Sequence, residues 1–104
     1  MGIEIGKLNN VPCIKTFLTD EQGHELYISK IDDVVLVHRL HSSKFTNSEL
    51  YEDTYKIMSI VLEKLILERQ TKTPTTYSYS ELCSEYINNK QSIDSGYNNI
   101  NKAI

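Results

Sequence analysis

Three observations predict an α+β fold in which an antiparallel meander of three or four strands precedes a long helix and one or two shorter C-terminal helices. β-Branched and aromatic residues crowd residues 1–42 between short turn-forming clusters. A sustained apolar stretch with helical spacing occupies residues 46–70. A second helix-start signal then opens residues 78–104. The chain of 104 residues is in the usual size range of one domain. Residues 1–104 are therefore read as a single domain with a meander at 1–42, a long helix at 46–70 and a helical hairpin or tail at 78–104.

The strands are expected at residues 11–18 (VPCIKTFL), 24–31 (HELYISKI) and 34–41 (VVLVHRLH). Thr19–Gly23 and Asp32-Asp33 connect them, lengths that suit antiparallel hairpins rather than crossovers. Gly2 to Leu8, with Ile3 and Ile5 on one face, adds an outer strand turned through Asn9-Asn10. The unbroken apolar run Val34–Val37 predicts a strand covered on both faces or placed centrally.

The long helix is expected from about residue 47 to about residue 69. Thr46 serves as its N-cap, Glu49 returns a hydrogen bond to the cap, and Phe45 and Leu50 staple the start. From Ile57 to Leu67 the apolar side chains wrap most of the circumference, so burial against one sheet leaves a remainder. Ile57, Val61 and Leu65 lie on one side, Ile60 and Leu67 on another. Pro74 ends the helix. Ser78 and Glu81, flanked by Tyr77 and Leu82, repeat the start signal for a helix at about 79–88, whose inner side is Tyr79, Leu82, Cys83, Tyr86 and Ile87. Asn88 and Asn89 end it, and Asp94 is placed to cap a third helix.

Chemistry-bearing motifs are sparse. His38 and His41, three apart on an expected strand, point to opposite faces and cannot share a metal there. Cys13 and Cys83 lack a ligand-spaced partner and read as reduced, buried thiols, with pairing to a histidine as the catalytic alternative. The four glycines are scattered singly, which excludes a Gly-rich phosphate loop. Asp20-Glu21 and Asp32-Asp33 read as turn residues. No catalytic residue, cofactor or metal is expected.

Net charge is −3, distributed as −1, −2 and 0 over residues 1–45, 46–70 and 71–104. No segment carries the cationic excess that phosphate binding uses. No apolar run approaches membrane-spanning length, and the first residues lack a secretory pattern, so a cytoplasmic protein is expected. The functional expectation is a small non-catalytic interaction module, a regulator or inhibitor that binds a protein partner or itself. Its interface would use Tyr51, Tyr55, Ile60 and Leu67, since tyrosine and uncovered apolar area mark contact surfaces.

The alternative is a helix-turn-helix nucleic-acid reader built from residues 78–104. Thr76-Tyr77-Ser78-Tyr79-Ser80-Glu81-Leu82 resembles the opening of many winged-helix domains, over about a third of the chain. In this helix-turn-helix reading the second helix is the reading helix, with Asn98, Asn99 and Asn101 suited to adenine edges and Lys102 its one basic residue.

Overall fold

The computed structural model describes residues 3–39, 45–47, 52–68 and 75–95. It has the expected α+β architecture, five strands before the long helix and a sixth between the helices, with a wider sheet than the meander alone provides. Strands β1 (Glu4–Leu8), β2 (Val11–Thr19), β3 (Glu25–Ile31) and β4 (Val34–Arg39) form consecutive antiparallel hairpins. Two short strands, β5 (Phe45–Asn47) and β6 (Thr75–Ser78), extend the sheet at its ends, giving the order β5-β1-β2-β3-β4-β6. Helix α1 (Glu52–Glu68) packs on one face, and α2 (Tyr79–Asn88) packs against α1. Residues 90–95 are again helical.

Local chemistry explains the hairpins. Asn9 and Asn10 both adopt positive φ, 51° and 68°, as the tight turn between twisted strands requires, and asparagine tolerates that region better than most residues. Gly23, at φ 83°, turns β2 into β3. The Asp20 carboxylate accepts hydrogen bonds from the backbone N–H groups of Gln22 and His24, both at 2.9 Å. Between the paired positions Lys15↔Tyr27 and Thr19↔Glu25 the register of β2 shifts. There Thr16 Oγ1 donates to the Leu26 carbonyl at 2.7 Å and accepts from Leu18 N–H at 3.1 Å, so a fully buried hydroxyl satisfies backbone that the irregularity releases.

Alternation along the strands gives the sheet two different faces. Ile14, Leu26, Ile28, Val35 and Val37 join Tyr55, Met58, Val61, Leu62 and Leu65 of α1 in one core. Of the two placements expected for Val34 to Val37, the strand takes the interior one, paired with β3 on one side and β6 on the other, and is not covered on both faces. Val35 and Val37 are fully buried beside α1, whereas Val34 is 45% exposed on the other side. The second side of α1 is covered as well: Ile60, Leu82 and Ile93 are all buried in the same core, and Lys56–Asp94 and Lys64–Glu85 ion pairs at 3.4 and 3.5 Å tie the helical elements together. Ile66 remains outside, 38% exposed.

Local expectations are also overturned. Thr46 is not the cap of the long helix; it lies in β5, paired with Lys7 of β1, and Glu49 and Leu50 fall outside the described residues. Phe45–Asn47 completes the hydrogen bonding of the β1 edge, a long-range gain that outweighs a locally attractive cap. Ile87 is not on the inner side of α2 but 75% exposed, because the core reaches only the side carrying Leu82, with Tyr79, Cys83 and Tyr86 partly buried against it.

The start of α2 follows the sequence, with an addition. Ser78 is its N-cap, in extended backbone, with its side chain accepting from Glu81 N–H. Asp33, in the β3–β4 turn, also binds this end: its carboxylate accepts from Ser80 N–H at 3.0 Å and from the Ser78 hydroxyl at 3.1 Å, and its carbonyl accepts from Tyr79 N–H at 2.7 Å. At the far end Asn89 N–H bonds to the Glu85 and Tyr86 carbonyls, as Asn88-Asn89 predict. Asp94 does not cap a new helix; it lies within the helical residues 90–95 and accepts from the Tyr86 hydroxyl at 2.8 Å.

Candidate functional site

The sheet face turned away from α1 carries the densest chemistry among the described residues. The pairing register arranges its side chains in rows across the strands. One row contains Val34 and Ile31, then Val11, Leu8 and Phe45. The next runs Thr76, Leu36, Ser29, Cys13, Gly6, Asn47. The third runs His38, Tyr27, Lys15, Glu4.

Polar contacts link the second and third rows. Ser29 Oγ and His38 Nε2 share a hydrogen bond of 2.8 Å, and Cys13 stands directly opposite Ser29 in the β2–β3 register. The His38 ring lies 6.3 Å from that of Tyr27, and Tyr27 lies 6.2 Å from Phe45. Tyr27 and Phe45 belong to β3 and β5, with β2 and β1 between them. Flat strands at about 4.8 Å spacing would separate their backbones by about 14 Å across the strands alone, with a further offset of two rows along them, so the β5 edge rises over this face. Gly6 permits it: a Cβ there would collide with the backbone carbonyl of Thr46. In the row between those of Tyr27 and Phe45, Cys13 is fully buried and Ser29 is 2% exposed.

This environment sets the ionisation of the cluster. Burial pushes the Cys13 thiol up to about 11, against the opposing hydrogen bond from Ser29, so it is protonated at neutral pH and a weak nucleophile. Burial also lowers His38, against a hydrogen bond with the Arg39 backbone, keeping the imidazole neutral. The structure thus brings a cysteine and a histidine together through Ser29, which sequence spacing did not reveal. The signal was present only as the pairing of β2 with β3 and β3 with β4, which places Cys13 opposite Ser29 and His38 opposite Tyr27.

The residues expected at an interface are placed differently. Tyr55 and Ile60 are 1% and 3% exposed within the single chain, because the sheet and α2 flank α1 on two sides. Tyr51 and the side chain of Leu67 lie outside the described residues, as do His41, Asn98, Asn99, Asn101 and Lys102. The turn carboxylates are engaged: Arg39 Nη1 lies 3.3 Å from Asp20 Oδ2 and donates to Gln22 Oε1 at 3.1 Å. The described residues contain no group of three or more His, Cys, Asp or Glu that could hold a metal ion.

Exposed apolar side chains instead gather at the β3–β4 hairpin end of this face. Ile31 and Val34 are direct cross-strand partners and are 51% and 45% exposed. No described helix is long and apolar enough to cross a membrane. Comparison of the chain with protein-family models, curated proteins and solved structures finds no match.

Proposed function

We propose that this protein is a small non-catalytic interaction module, a regulator or inhibitor that binds a protein partner, and that it does so through the hairpin end of the open sheet face. The carrying observation is the Ile31–Val34 pair, exposed side by side on a chain whose other strand valines and isoleucines are largely enclosed. Adjacent apolar side chains held on a rigid hairpin offer contact area with little further ordering on binding. The acidic charge of −3 favours a protein over a nucleic acid as partner. The buried, protonated Cys13 and the shielded Ser29 support a non-catalytic reading over a thiol or serine nucleophile. Two free cysteines, Cys13 and Cys83, suit the reducing cytoplasm.

The helix-turn-helix alternative has less support. Asn89 alone separates α2 from the helical residues 90–95, whereas a helix-turn-helix uses a turn of about three to four residues. The test is affinity capture from the native host with the parent chain and the double variant Ile31→Lys, Val34→Lys. The expected result is a captured protein lost with the variant while its urea midpoint is retained. Equal capture by both overturns the assignment of this face, and a self-associating parent with a monomeric variant identifies the partner as a second copy.

A further inference from the structure

We propose that the Tyr27–Phe45 ring pair is a proton-gated cover over the Cys13 thiol, with His38 as the sensing group. The cover has a specific construction. Phe45 stands on the three-residue strand β5, which is held to the sheet through its pairing with β1. It reaches Tyr27 across two intervening strands, and Cys13, in the row between theirs, has no exposed surface. Tyr27 in turn is flanked by His38, whose Nε2 is bonded to the hydroxyl of Ser29, the residue directly opposite Cys13 in the sheet.

Protonation changes that arrangement in two ways. In the imidazolium Nε2 is a donor, so the Ser29 hydroxyl must accept from it and direct its own proton elsewhere, the facing Cys13 sulfur being only a weak acceptor. The imidazolium also becomes a charge in a half-buried position. Among the described residues no charged group is placed to offset that charge. Along its row come the Tyr27 ring and then Lys15, a cation already paired with Glu4 at 3.3 Å. Glu25 is two residues from Tyr27 along β3. Arg39 alternates to the opposite face, where Asp20 engages it. The lower-energy response is for the ring to turn toward water, which removes an aromatic neighbour of Tyr27 and loosens its contact with Phe45.

The test uses a Cys83→Ala chain, so that Cys13 is the sole thiol, and the disulfide reagent 4,4′-dithiodipyridine. The labelling rate at each pH is divided by that of the urea-unfolded chain, which cancels the intrinsic pH dependence of the thiol. The expected result is a rise of about tenfold or more in this ratio between about pH 7.5 and about pH 5, centred below the ordinary histidine value of about 6.5. Adding His38→Gln should flatten the profile. Phe45→Leu should raise labelling already at neutral pH. A flat ratio in the parent overturns the proposal. An equal rise with His38→Gln does so too, since general acid loosening would then account for it, and unchanged labelling with Phe45→Leu removes the cover.

Discussion

The Tyr55 hydroxyl donates a hydrogen bond of 2.5 Å to the Gly6 carbonyl, joining the first turns of α1 to the strand over which β5 folds. Tyr55 is 1% exposed, so the bond sits in the core, where exchange with water does not weaken it. Tyr55→Phe should lower stability by about 1 to 2 kcal/mol. A urea midpoint equal to that of the parent would show that the bond contributes nothing.

Gly6 itself is required by space rather than by backbone angle. Gly6→Ala should force β5 away from β1, because the new methyl meets the Thr46 backbone and not a side-chain end that can rotate. The expected cost is about 1 to 3 kcal/mol. Amide exchange in β5 should accelerate more than in β3, and uniform acceleration would contradict the local origin.

The Asp33 carboxyl lies below its usual range, chiefly through hydrogen bonding with the Ser80 side chain and then with Ser78 and Ser80 N–H, against some burial. A carboxyl lowered on folding contributes stability that is fully present above its unfolded value of about 3.9 and is lost as pH falls through its folded value. Asp33→Asn should therefore reduce the dependence of stability on pH in the acid range and fray the start of α2. Unfolding midpoints measured down the acid limb would show no difference between the two chains if the turn did not hold the helix.

Ile60 and Ile87 separate enclosed from exposed helix positions. Ile60→Ala should cost about 2 to 5 kcal/mol, as for an enclosed aliphatic residue, whereas Ile87→Ser should stay within about 0.5 kcal/mol. Comparable losses for both would mean that α2 is turned differently about its axis.

Thr46 provides a related comparison. As a helix cap it would lose about 0.5 to 2 kcal/mol on replacement by alanine; as an exposed residue of β5 it should change stability by less than about 0.5 kcal/mol. Chemical denaturation of Thr46→Ala distinguishes the two.

Local information determined the four consecutive strands, their hairpin turns, the body of α1 and the cap of α2. Each rests on interactions between residues close in the chain: positive φ at Asn9-Asn10, apolar periodicity in α1, and the Ser78 hydroxyl facing Glu81 N–H. The tertiary structure decided what depends on distant partners. Phe45–Asn47 looks like a helix entry by itself and becomes a strand because β1 offers a free edge. The same pairing carries Phe45 to Tyr27. Ile60 faces α2 rather than solvent, Ile87 faces solvent rather than the core, and Asp33 leaves an ordinary turn to hold the start of a helix 45 residues away. The Cys13–Ser29–His38 contact arises in the same way, since residues spread over three strands become neighbours only when sheet register aligns them.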